Sequence, residues 1–143
     1  MAVVFLWRCE VHPFTMPNAV LLVDDDPQIR AICRTTLEES GYVVGDASNG
    51  KQALAAIKKA VYDLIVLDLC MPEVDGFEFL KAVRHKAPKL KIIVISGLPG
   101  GAMLTSSKYL GGNATLAKPF SPDSLLLVVD EVLRTEDSAV GSD

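Results

Sequence analysis

The chain has 143 residues, half of them hydrophobic and 22% charged, which suits one domain with its own core and leaves no room for a second of ordinary size. Its net charge of −4, with no basic run longer than Lys58-Lys59, argues against direct binding to nucleic-acid phosphates. Three cysteines without metal-type spacing (Cys9, Cys33 and Cys70), and no apolar stretch near the roughly eighteen residues a membrane span needs, predict a cytoplasmic chain with incidental thiols and no membrane partner.

Met1 to Trp7 is apolar but short, with no basic start and no small-residue cleavage pattern, so it does not read as a signal peptide. Residues 1–16 read instead as an N-terminal extension. It is either an upstream-start or vector-derived segment, or an arm, since Val3, Val4, Phe5, Leu6 and Trp7 are too apolar to sit exposed without consequence. The domain proper is predicted over residues 17–135. Its first strand is the continuous apolar run Val20-Leu21-Leu22-Val23. Asp26-Pro27 then opens a helix as cap and first-turn proline, Ile29, Ile32, Cys33, Thr36 and Leu37 form its inward stripe, and Gly41 closes it.

Tyr42-Val43-Val44 is the second strand, and Gly50 to Ala60 the second helix, with Ala53, Leu54 and Ile57 inward. Leu64 to Leu67 is the third strand. A helix from Asp75 to about His85 follows, with Asp75 and Glu78 at capping-box spacing. Ile92 to Ile95 is the fourth strand and Ala114 to Ala117 a weaker fifth. Between them, Pro99 to Leu110 predicts a ragged fourth helix, poor in helix formers. A fifth helix starts at Ser121-Pro122 and buries Leu125, Val128, Val129 and Val132, and residues 136–143 read as a polar tail. Strands alternating with helices predict an α/β fold, a doubly wound five-stranded parallel sheet flanked by five helices. Such sheets bind ligands beyond the carboxyl ends of their strands.

Chemistry-bearing residues gather at those ends. The first strand runs into Asp24-Asp25-Asp26, the third into Asp68, the fourth into Ser96-Gly97 and the fifth into Lys118-Pro119. Crowded carboxylates repel unless a cation neutralises them or some of them protonate. Magnesium suits few carboxylates, several waters and phosphate oxygens. Beside such a metal, a carboxylate can act as a nucleophile toward phosphorus, with a lysine and a hydroxyl sharing the developing charge.

These residues resemble the receiver domain of bacterial two-component response regulators, of the stand-alone, chemotaxis-regulator-like kind. Leu-Leu-Val-Asp24-Asp25-Asp26-Pro27-x-x-Arg30 is similar to the family's acidic first-strand signature. Leu-Ile-Val-Leu-Asp68-Leu-Cys70-Met71-Pro72-x-x-Asp75-Gly76 is similar to its phosphorylation motif, and Val-Ile-Ser96-Gly97 and Lys118-Pro119-Phe120 to its hydroxyl and lysine motifs. The resemblance spans about Pro17 to Arg134 and implies a flavodoxin-like receiver fold. It also implies that Asp68 accepts a phosphoryl group from a phosphohistidine on a sensor histidine kinase or histidine phosphotransfer protein. Asp24, Asp25, Asp68 and the main-chain carbonyl of Cys70 would hold Mg2+, Ser96 and Lys118 would contact the phosphoryl group, and the Lys118-Pro119 bond would be cis. Such a chain is a switch that catalyses only its own phosphorylation and dephosphorylation. Its downstream target is expected on the face of the fourth helix, fifth strand and fifth helix. Thr115 stands where relatives often carry an aromatic residue, so the readout is expected through backbone and helix shifts.

Other residues have plainer readings. Asp26 is a helix cap, Asp75 and Gly76 lead into the third helix, Met71-Pro72 shapes a loop, and the Cys70 thiol is a bystander. His12 is isolated, while His85 and Lys58-Lys59 suit solvated helix ends. Three alternative functions compete. The chain could be a receiver from a larger regulator with a DNA-binding or enzymatic output domain. It could be a phosphorylation-independent interaction module, against which the full set of site residues speaks. An aspartyl-phosphate phosphatase or phosphotransferase would need an acid-base aspartate at position 70, which is Cys.

Overall fold

The computed structural model describes residues 18–68, 76–96 and 113–142. Five strands, β1 (Ala19–Val23), β2 (Val43–Ala47), β3 (Leu64–Asp68), β4 (Lys91–Ser96) and β5 (Ala114–Ala117), form one parallel sheet in the order β2-β1-β3-β4-β5. The helices among the described residues are α1 (Pro27–Glu39), α2 (Gly50–Lys59), α3 (Gly76–Lys86) and α4 (Pro122–Ser142). The doubly wound parallel sheet is as expected. The described residues contain four helices where five are expected, because the segment Pro99 to Leu110 lies outside them. Residues 1–16 lie outside them too.

Side chains alternate across each strand, so successive residues of one apolar run serve opposite cores. Leu21, Val23, Ile65, Leu67, Ile92 and Val94 point to one side, where Ala53 of α2 and Phe79, Leu80 and Val83 of α3 cover them. Val20, Leu22, Leu64, Val66, Ile93 and Ile95 point to the other, under Cys33 and Leu37 of α1 and Leu125, Val129 and Val132 of α4. This double use explains why the strands read as continuous rather than alternating hydrophobic runs.

The helix signals are physical. Asp26 caps α1, its Oδ1 accepting from the Gln28 N–H at 2.9 Å and the Ile29 N–H at 3.3 Å. Gly41 follows with φ 98°, a left-handed conformation that favours glycine. Asn49 caps α2, accepting from the Gln52 N–H at 2.8 Å, a role the sequence reading did not assign. Lys58 and Lys59 occupy the last turn of α2, and His85 that of α3.

Two expectations change. Ile32 is 54% exposed rather than inward. The buried stripe of α1 is centred on Cys33 and Leu37, which turns Ile32 toward the margin of the helix beside Pro119, Phe120 and Pro122. β2 runs on through Gly45, Asp46 and Ala47, held by its register with Leu21, Leu22 and Val23, a pairing that overrides the poor strand propensity of those residues. α3 is described from Gly76, and Asp75 lies outside the described residues. The α4 backbone continues to Ser142, through most of the segment read as a polar tail. No helix among the described residues is long and apolar enough to cross a membrane.

Candidate functional site

Strand register builds the site. Val23 on β1 pairs with Leu67 on β3, so Asp24 and Asp68 leave neighbouring strands at the same level. From β1 the chain moves outward to β2 and then returns on the other side to β3, so the strand order reverses between them. At the next interval, Asp68 pairs with Ile95 and Ser96 with Ala117, which delivers Lys118 to the same edge.

Asp24 and Asp68 are only 5% and 1% exposed and are the buried charged residues of the core, while Asp25 is exposed. One carboxylate oxygen from each of Asp24, Asp25 and Asp68 lies within 4.8 Å of the others. These three sets of hard oxygen donors, partly shielded from water, fit a divalent cation. The Lys118 ammonium donates to Asp68 Oδ2 at 2.8 Å and lies 4.0 Å from Asp24 Oδ2. One lysine therefore faces the two buried carboxylates, with Asp25 beside them, which leaves a net negative corner suited to a metal.

Burial pushes the Asp24 carboxyl up to about 6. The hydrogen bond from the Asp26 N–H opposes this, the charges of Asp68 and Asp25 add to it, and Lys118 lowers it. A carboxyl raised in the folded state holds its proton there more tightly than in the unfolded chain. Its contribution to stability is complete below the unfolded value and is lost as pH rises through about 6. In chelator, the protein is expected to gain stability from this group between pH 7.5 and 5. Chemical denaturation of wild type and Asp24→Asn tests this: the variant is expected to lose that part of the pH dependence, and equal slopes in the two proteins would refute it.

Of the residues singled out in the sequence, the structure brings Asp24, Asp25, Asp68 and Lys118 together. Ser96 ends β4 at the same edge by its backbone, but its side chain, Gly97, Cys70, Met71 and Pro72 lie outside the described residues. Asp26 turns into the α1 cap, as read. The Lys118-Pro119 peptide is cis. The Cys33 thiol is buried, and that burial raises its pKa to about 11, which keeps it protonated and inert. Arg30 belongs to the acidic motif, which gives it no evident task. Its Nη1 donates to the Asp24 main-chain carbonyl at 2.6 Å. Only its place one turn beyond the acidic corner could have signalled this.

The chain is similar to known proteins in sequence and fold. Residues 20–130 match the response regulator receiver domain family. The chain is 31% identical over 120 residues to the chemotaxis protein CheY of Thermotoga maritima, covering 83% of this chain and all of that protein. It is 37% identical to the transcriptional regulatory protein ResD of Bacillus subtilis, covering 84% of this chain and 50% of that protein. The chain thus spans about half the length of the transcriptional regulators it matches. The Vibrio cholerae chemotaxis response regulator CheY4 superposes with a TM-score of 0.76 at 36% identity, over 82% of this chain and 99% of that one. The doubly wound sheet is therefore the flavodoxin-like receiver fold. With the match running through both cores and the acidic corner at their shared edge, the chain belongs to the response regulator receiver domain family.

Proposed function

We propose that Asp68 is the phosphoryl acceptor of this receiver, in a reaction that requires Mg2+. The observation that carries this is the buried Asp68 carboxylate paired at 2.8 Å with Lys118 and grouped with Asp24 and Asp25. An Asp68 oxygen attacks the phosphorus of a phosphohistidine on a sensor histidine kinase or histidine phosphotransfer protein. The new O–P bond forms as the N–P bond breaks, and the imidazole leaves with the electron pair and takes up a proton. Asp24, Asp25, Asp68 and the Cys70 main-chain carbonyl would hold the magnesium ion, which when bound would supply positive charge to the phosphoryl oxygens.

Before transfer, Lys118 holds and orients the acceptor carboxylate. Once that carboxylate is esterified, the ammonium is placed to pair with the phosphoryl group, and the Ser96 hydroxyl is assigned to another of its oxygens. Moving Lys118 at the end of β5 gives the new charge a mechanical handle on β5 and α4. The downstream protein partner is assigned to the face of β5 and α4; the fourth helix expected beside them lies outside the described residues.

The test is incubation with a small phosphodonor, with magnesium or with chelator, followed by mass spectrometry. One phosphoryl adduct is expected per chain, mapped to Asp68 and dependent on magnesium. No adduct with any donor, or an equal adduct in chelator, would sink the reading. A second context is supported by the half-length coverage of transcriptional regulators: the receiver of a larger regulator with an output domain. Complete coverage of the chemotaxis protein supports the stand-alone context. The full-length reading frame distinguishes them.

A further inference from the structure

We infer that Arg30 is a positioning residue for the acidic corner, holding the Asp24–Asp25 peptide so that both side chains face one cation together with Asp68. This inference rests on reading that corner as the magnesium site. Its physical basis is the target of the hydrogen bond. The oxygen that Arg30 Nη1 engages at 2.6 Å belongs to the peptide joining Asp24 to Asp25. Fixing that oxygen fixes the peptide plane, and the plane sets the direction in which the Asp25 side chain departs from the chain.

Asp24 is secured on its other atoms as well. Its N–H donates to the Ala47 carbonyl on β2 at 3.2 Å, and its Oδ1 accepts from the Asp26 N–H at 2.9 Å. Without Arg30, the peptide oxygen is the part of the corner left without this support, and Asp25 is exposed with no core to hold it.

The state of Arg30 itself is the second observation. An arginine serving only solubility keeps its head in water. Here Nε is buried and has no hydrogen-bond partner among the described residues, an arrangement that burial of polar groups normally avoids. The guanidinium has been drawn in to reach one carbonyl, at the expense of one of its own donors. Outer groups that orient metal ligands act in this way, without touching the ion.

The sign of the effect separates positioning from charge. Arg30 is a cation beside a site for a cation. Acting only through its charge, it would repel magnesium, and its removal would tighten binding. Acting through the peptide, its removal loosens the ligands and weakens binding.

The experiment is calorimetric titration of the full chain with Mg2+ alone, for wild type, Arg30→Met and Arg30→Lys, with thermal unfolding of each in chelator. Methionine fills similar space without a donor, whereas lysine keeps the charge and one donor. Arg30→Met is expected to bind magnesium roughly tenfold more weakly than wild type, at the lower end of the loss seen when outer partners of metal ligands are removed. Arg30→Lys should recover part of that affinity and remain about two- to threefold weaker than wild type. At saturating magnesium, the maximal rate of phosphoryl uptake in both variants should approach wild type, because only the metal requirement has moved. A dissociation constant at or below wild type in either folded variant overturns the inference. Should Arg30→Met fail to fold, Arg30→Lys decides by the same criterion. Wild type that binds no magnesium would overturn the metal-site reading itself, a failure distinct from one in which wild type binds normally and the variants match it.

Discussion

Asp68→Asn is expected to take up no phosphoryl group under conditions where wild type gains one, and yet to be the more stable protein in chelator. Both effects follow from the same burial. An amide keeps the shape of the side chain but has no carboxylate to attack phosphorus. Asp68 is also 1% exposed and shares its site with Asp24 and Asp25, opposite the single Lys118. Neutralising it removes one of the like charges that raise the Asp24 carboxyl and leaves Lys118, 4.0 Å away, to pair with Asp24. A gain of roughly 1 kcal/mol is expected, typical of replacing a functional group held at some cost to the fold. Mass spectrometry after phosphodonor treatment and denaturant unfolding at pH 7.5 are the two readouts. A persistent adduct would move the acceptor elsewhere, and a destabilised variant would mean that the Lys118–Asp68 pair outweighs the crowding.

Lys118→Met is expected to separate metal binding from phosphoryl transfer. Its ammonium lies 2.8 Å from Asp68 and is the one described cation between the two buried carboxylates. Removing a preorganised charge from the transferring oxygens should slow phosphoryl uptake by roughly a hundredfold, as loss of one transition-state donor does. Magnesium binding should hold or tighten, because a competing cation is gone. In chelator the variant should be less stable than wild type at pH 7.5, since Lys118 adds to the Asp26 N–H hydrogen bond in lowering the Asp24 carboxyl. It should also regain more stability on acidification. Phosphorylation rates across a magnesium series, set beside calorimetric affinities, check both halves. Equal loss of affinity and rate would make Lys118 a structural support of the metal ligands instead.

The buried strands were legible because a parallel sheet covered on both faces demands continuous apolar runs, as Leu64-Ile65-Val66-Leu67 shows. The α1 cap was legible because Asp-Pro offers a side-chain acceptor and a preset first-turn dihedral at once. The far end of β2 is not legible in the sequence because Gly45 and Asp46 lack strand propensity, and only pairing with β1 carries them. Ile32 was misplaced because helical spacing gives an angle around an axis, not the width of the neighbour that covers it. Its exposed side chain now lines an apolar groove of about 390 Å3 with Ile29, Pro119, Phe120 and Pro122.

The site divides in the same way. By itself the sequence determined which residue types stand at the ends of which strands: Asp24 and Asp25 after the first, Asp68 at the third, Ser96 at the fourth, Lys118 after the fifth. That follows from local rules, since an apolar run ends where a charge begins. Tertiary structure alone decided that the pairing of Val23 with Leu67 sets Asp24 beside Asp68, that Lys118 reaches Asp68 more closely than Asp24, and that Arg30 turns back onto the Asp24 carbonyl. Those contacts depend on strand register and on the angle at which α1 leaves the sheet. Both are set by the packing of the two cores, which no short stretch of sequence contains.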